Sequence, residues 1–398
     1  GFYSIFLLIL RVMIGPGVSD ILGQTWKGAS TPAESNSKEN TMQEKIREVL
    51  SGVIDPNTGK DLVSSKALKK VTTEDGKTTV QIELDYPAKT QGPVIEEMVR
   101  AKLVEAGIPA DVKISQNIIA HEVQRGVKVF DSVRNIIAVS SGKGGVGKST
   151  VSANLALALQ QEGAKVGLLD ADVYGPSQPT MLGITDKPYS VDGKTLEPMI
   201  AHGLQVASVG VLIDPDQPMI WRGPLAVSAL QQLLKQTNWK DLDYLIVDMP
   251  PGTGDIQLSL SQEVPLTGAV VVTTPQDIAL MDARKGLVMF EKVNVPILGI
   301  IENMATHICS KCGHEEHIFG EGGAAKMAAQ YGVDLLGELP LDINIRLSMD
   351  KGEPIVISEP DSKVAQVYRD IARKLAIAIS KKNKDYSAKM PSIKVSDT

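Results

Sequence analysis

Residues 141–150 read SGKGGVGKST, a glycine run that carries two lysines, Lys143 and Lys148, and ends in Ser149 and Thr150. Gly142 to Ser149 fits the spacing G-x-x-x-x-G-K-[ST] of a phosphate-binding loop. Gly142, Gly144, Gly145 and Gly147, with Val146 among them, let backbone N–H groups turn inward around phosphate oxygens, and a following helix adds its positive end. In that role Lys148 bridges the β- and γ-phosphates of a nucleotide and Ser149 ligates Mg2+. Lys143 is the odd residue, because most such loops carry no charge at that point. Carboxylates at two further places suit a triphosphate site. LLDAD ends in Asp170 and Asp172, and LIVD ends in Asp248. Asp248 is expected to hold Mg2+ through water, and the glycine-rich PPGTGD turn after it is suited to sense a γ-phosphate.

The second chemical cluster is ATHICSKCGHEEHIFG, residues 305–320, which holds both cysteines of the chain, Cys309 and Cys312, and three of its five histidines. A C-x-x-C pair turns two thiolates toward one metal. Two thiolates cannot hold a four-iron cluster alone, but a symmetric dimer would bring four together on its axis. Zn2+ held by Cys309, Cys312, His314 and His317 within one chain, or a redox dithiol, stay open as alternatives. His121 and His202 read as surface or structural residues.

These residues need elements to position them. From Asn135 onward, short apolar runs (NIIAVSS, VGLLDAD, DYLIVDMP, GAVVVTTP, VPILGIIENM, LLGELP) alternate with helical segments. That pattern predicts an α/β fold, a mostly parallel sheet covered by helices on both faces, with its site at the carboxyl ends of the strands. The phosphate loop sits as it must, after the strand NIIAVSS and before the helix KSTVSANLALALQQ. Upstream, residues 42–116 predict a small α+β domain of order α-β-β-α-β, with Asp75-Gly76 turning a hairpin. Residues 117–132 read as a linker, 133–381 as the ATPase domain and 382–398 as a flexible tail. Residues 1–41 read as a disordered or spurious extension. Their apolar stretch FYSIFLLIL falls short of the roughly 20 residues a membrane helix needs.

The chain has 398 residues, 43% hydrophobic and 22% charged, with a net charge of −6. Such a balance gives no general attraction to nucleic acid or an anionic membrane, and 4% aromatics argue against a base-stacking surface. Two cysteines are too few for a secreted disulfide framework, so a cytoplasmic location is expected.

KGGVGKST with its extra lysine resembles the deviant phosphate loop of the MinD/ParA/nitrogenase-iron-protein superfamily. LLDADVYGPSQP, WRGP (221–224), DYLIVDMPPGTGD, TTPQDIALMDARKG and the C-x-x-C resemble the Mrp/ApbC branch, ATP-binding iron–sulfur cluster carriers. The likeness covers about residues 42–380. It implies a homodimer in which Lys143 reaches the partner's nucleotide, Asp172 orients the attacking water or contacts the metal region, and Asn303 hydrogen-bonds adenine. It implies ATP, Mg2+ and a labile [4Fe–4S] cluster bridging two copies through Cys309 and Cys312, with a cluster assembly scaffold and apo iron–sulfur proteins as partners. A MinD/ParA-like regulatory switch is the alternative, with a structural zinc or redox C-x-x-C. Against it, the end KDYSAKMPSIKVSDT has no apolar stripe for a membrane. A nitrogenase-reductase-like donor fails because PPGTGD and TTPQDIAL carry no cysteine.

Overall fold

A helix, α1 (Pro32–Leu50), is the first element of the computed structural model, which describes residues 32–74, 76–124, 127–211, 223–309 and 311–384. It begins at Pro32, not at Met42, so the expectation of disorder through residue 41 fails for 32–41. Proline suits a first helical turn, where its missing N–H has no partner to lose. Residues 1–31 lie outside the described residues. After α1 come β1 (Leu68–Glu74), β2 (Lys77–Leu84), α2 (Gly92–Glu105) and β3 (Asp111–Gln116), with sheet order β1-β2-β3. The expected hairpin is present: Glu74 pairs with Lys77 around Gly76, whose φ of 77° asks for glycine.

The chain divides into two units. One holds the described residues up to Ile54, Lys60–Ile82 and Glu97–Lys113. Its core is Ile46, Leu50, Leu62, Val80, Val99 and Leu103, all without exposure. The other holds Asp55–Gly59, Glu83–Glu96 and the described residues from Ile114 on.

The larger unit runs β4 (Val133–Ser141), α3 (Lys148–Gln161), β5 (Val166–Asp170), α4 (Gln178–Met181), β6 (Met199–Ala201), β7 (Leu204–Ser208), α5 (Gly223–Gln236), β8 (Leu242–Asp248) and α6 (Asp255–Glu263). It continues with β9 (Gly268–Thr273), α7 (Asp277–Lys292), β10 (Ile297–Glu302), β11 (His307–Ile308), β12 (Glu315–Glu316), α8 (Gly323–Tyr331), β13 (Leu335–Glu338), α9 (Ile343–Asp350), α10 (Ile355–Ser358) and α11 (Lys363–Ser380). The eight-stranded sheet has order β13-β10-β9-β4-β8-β5-β7-β6, parallel except for β6. Its central strands are apolar on both faces: Ile137, Leu168, Leu245, Ile246, Val270, Val271 and Ile300 have no exposure. α3 is also buried from Val151 to Leu159, which its small alanines permit.

Register aligns the chemistry. Asp170 pairs with Asp248 across β5 and β8, and Val139 pairs with Asp248 across β4 and β8. Three strands therefore end together, beside the loop that follows Ser141.

The expected linker is packed on the larger unit. Gln124 Nε2 donates to the carbonyls of Ser261 (2.8 Å) and Val264 (3.3 Å), and its Oε1 accepts from Leu266 N (2.9 Å). His121 is buried on Asn135, Nδ1 to Oδ1 at 3.0 Å, a structural role as expected. The tail also begins later than expected, because Glu122 N donates to Asn383 O (3.0 Å) and His121 bridges Lys384. Residues 385–398 lie outside the described residues. Among those described, no helix is long and apolar enough to cross a membrane.

Candidate functional site

The loop between β4 and α3 is shaped by glycine at two points. Gly147 caps α3 at φ 82°, and a Cβ there would meet Asn303 Nδ2 at 2.3 Å. At Gly142 a Cβ would stand 2.1 Å from the carbonyl carbon of Asp282, because α7 crosses the loop there. Backbone atoms exclude a side chain at Gly142, and the left-handed φ disfavours one at Gly147. Asn303 Nδ2 donates to Val146 O (2.9 Å), so the end of β10 is tied to the loop. Gly252, at φ 94°, donates its N–H to Ser141 O (2.9 Å) and ties the PPGTGD turn to the same place.

Lys148 begins α3, is 5% exposed and has its Nζ 2.6 Å from Asp248 Oδ1. Asp172 Oδ2 lies 3.9 Å and Ser149 Oγ 3.3 Å from the same nitrogen. Asp248 is wholly buried and takes two neutral donors besides: Ser152 Oγ to Oδ1 (2.9 Å) and Gln178 Nε2 to Oδ2 (2.9 Å). Asp170, also buried, accepts at Oδ2 from Ser177 N (3.1 Å), Gln178 N (3.1 Å) and Ser208 Oγ (3.0 Å), and at Oδ1 from Asp172 N (3.2 Å). Burial, then the charge of Asp248, pushes Asp170 up to about 7 against these donors. Burial also raises Asp172, with Lys148 pulling the other way. Two carboxylates thus flank one ammonium, with Asp170 beside Asp248, and a buried carbonyl, Gln178 Oε1, has no partner among the described residues. Hard oxygen donors short of positive charge fit Mg2+ with a phosphate chain.

Most of the expected residues therefore meet: Gly142, Gly144, Gly145, Val146, Gly147, Lys148, Ser149 and Thr150 in one turn, with Asp172, Asp248 and Asn303 on strand ends beside it. Lys143 stands apart. It is half-buried, and its side chain makes no hydrogen bond or ion pair with a described residue, while its carbonyl accepts from Ser141 Oγ (2.9 Å). Of WRGP, Trp221 and Arg222 lie outside the described residues. Gln178, Ser152 and Ser208 are site residues that motif spacing does not single out. Only the aspartates they serve could have led to them.

The cysteines sit on a two-stranded hairpin, β11 and β12, with Ile308 paired to Glu315. Cys309 N donates to His314 O (2.9 Å) and Gly313 N to Cys309 O (2.8 Å). Both thiols are free, and Cys312 is exposed. The backbone N–H groups of Cys312 and Lys311, with the Cys312 thiol, hold Cys309 below its ordinary value and favour the thiolate. The one-chain zinc site is not formed. Among the described residues no group of three or more His, Cys, Asp or Glu could hold a metal ion. His317 Nδ1 instead meets Ala305 O (3.0 Å), and His307 Nδ1 meets Leu341 O (3.2 Å).

A family model described as NUBPL iron-transfer P-loop NTPase, of the ParA type, matches residues 132–376, and an iron–sulfur cluster assembly protein model matches 43–116. An iron–sulfur cluster carrier protein of Salmonella typhimurium is 51% identical over 340 residues, 85% of this chain and 92% of the relative. One of Pseudomonas fragi is 57% identical over 265 residues, 66% of this chain and 92% of the relative. A nucleotide-binding protein of Archaeoglobus fulgidus, solved in complex with ADP, is 37% identical, covers 59% of this chain and 92% of its own, and superposes with a TM-score of 0.52. A family match over more than half of the residues, and relatives this similar over most of the length, agree with the phosphate loop and the C-x-x-C: the chain belongs to the iron–sulfur cluster carriers, the Mrp/ApbC branch of the ParA-type P-loop NTPases.

Proposed function

We propose that this chain binds and slowly hydrolyses ATP, holds a labile [4Fe–4S] cluster between two copies of itself, and passes it to apoproteins in the cytoplasm. One observation carries the reading. A phosphate loop whose lysine rests on a buried carboxylate shares the chain with an exposed hairpin that offers two thiols and, among the described residues, no third ligand.

On nucleotide binding, Lys148 leaves Asp248 for the β- and γ-phosphates, and the loop N–H groups receive the phosphate oxygens. Ser149 and Asp248 would hold Mg2+, which would supply charge neutralisation at the phosphates. Asp172 orients the water that attacks the γ-phosphorus as the bond to ADP breaks. Asn303, already donating to Val146 O, accepts from adenine through Oδ1. Lys143, whose side chain has no partner among the described residues, serves the nucleotide of the second copy. Lys143→Ala is expected to bind nucleotide nearly as well as wild type while turnover falls about a hundredfold. Normal turnover in that variant removes Lys143 from the reaction.

A four-iron cluster takes four thiolates, and two copies about a two-fold axis supply them. Ile308 and Ile318, 51% and 52% exposed beside the cysteines, are apolar surface such a contact would cover. A cluster assembly scaffold loads the thiolates and an apo iron–sulfur protein empties them. The test is transfer. Reconstituted chain is incubated with an apo [4Fe–4S] dehydratase and an iron chelator. Recovery of dehydratase activity is expected, and failure to activate it contradicts the carrier function.

A further inference from the structure

We propose that Gln178 is a positioning residue for the magnesium of the nucleotide site: its Nε2 fixes Asp248, and its Oε1 accepts from a water bound to the metal. The inference rests on the Mg2+–nucleotide reading above. Gln178 has no exposure. Its Nε2 lies 2.9 Å from Asp248 Oδ2 and 2.9 Å from the main-chain oxygen of Ser149, so one amide joins Asp248 to the backbone of the residue whose hydroxyl is assigned to the metal. The main chain around it is held as well, because Asp170 Oδ2 accepts from the N–H groups of Ser177 and Gln178.

The other end of the same amide is unsatisfied. Oε1 is buried and has no partner among the described residues. An unmet buried acceptor is unfavourable unless something arrives to donate to it. On nucleotide binding the phosphates draw Lys148 away from Asp248. When it leaves, Asp248 keeps Ser152 on Oδ1 and Gln178 on Oδ2, so its position outlasts the loss of the lysine. A hydrated cation beside Ser149 brings the missing donors in its water molecules. Mg2+ characteristically keeps several such waters.

The probe is a fluorescent N-methylanthraniloyl-ADP, titrated with Mg2+ from chelator-buffered zero upward, on wild type, Gln178→Leu and Gln178→Glu. Gln178→Leu matches the apolar bulk and offers neither donor nor acceptor. Its Mg2+ midpoint is expected to rise about tenfold, with Mg2+-free affinity for the probe nearly unchanged. Gln178→Glu keeps an acceptor but exchanges the donor to Asp248 for a second carboxylate beside it; that added negative charge draws the cation, so its midpoint is expected at or below that of wild type. An unchanged midpoint in Gln178→Leu overturns the proposal. So does parallel loss of Mg2+-free binding in both variants, which would mark a purely structural residue. Should wild type itself bind no probe, or bind it without response to Mg2+, the parent reading of the loop fails instead.

Discussion

Lys148→Ala should lower ATP turnover by about a hundredfold or more, since it removes the cation that meets the developing phosphate charge in a water-poor loop. The same change has a second effect in the nucleotide-free protein. The lysine is 5% exposed and paired at 2.6 Å with a wholly buried carboxylate. Removing one partner of a buried pair leaves the other uncompensated, at a cost of about 3–5 kcal/mol. Here the stranded charge has Asp170 and Asp172 for neighbours, so the melting temperature without nucleotide should fall clearly. Pairing the change with Asp248→Asn separates the effects. The double variant should regain much of the lost stability and none of the turnover. Full turnover in Lys148→Ala would show that nucleotide is processed elsewhere.

Cys309→Ala with Cys312→Ala is expected to reduce iron after anaerobic reconstitution from about two per chain to background, because no other thiolate exists to replace them. The fold should not suffer. The turn is closed by main-chain bonds, Cys309 N to His314 O and Gly313 N to Cys309 O, which alanine keeps. The cysteines contribute little buried surface, as one is exposed and the other half-exposed. An unchanged melting temperature with lost iron therefore assigns the effect to ligation. Retained iron would move the metal to another part of the chain.

The sheet was readable because its strands are fully covered. Runs such as LIVD and AVVVT have no polar face to blur them, and each acid or glycine that ends a run marks a strand's carboxyl end. The β6–β7 edge was not anticipated. These strands are short, and they turn through His202 and Gly203 at positive φ, where histidine is an uncommon choice. The start of α1 was missed because its sequence is polar and carries no apolar stripe to give a period. The packing of the connector was not legible because it depends on single polar side chains, Gln124 above all, meeting main-chain groups far along the sequence.

The candidate site divides in the same way. Its loop and aspartates are local motifs, so spacing alone brought them out. Gln178 could not be found so, since its partners Ser149 and Asp248 lie 29 and 70 residues away and meet only after the sheet has formed. The zinc alternative shows the reverse limit. Cysteine and histidine crowd together in the sequence at 309–317, yet among the described residues the fold gathers no three of them into a set that could hold a metal ion.

The most direct test of the shared cluster is native mass spectrometry of the anaerobically reconstituted protein, with the double cysteine variant alongside. The predicted result is a species of two chains carrying one cluster of four irons and four sulfides, absent from the variant. A single chain that keeps its own zinc or iron, at a mass unchanged by the cysteine substitutions, would contradict a cluster held between two copies.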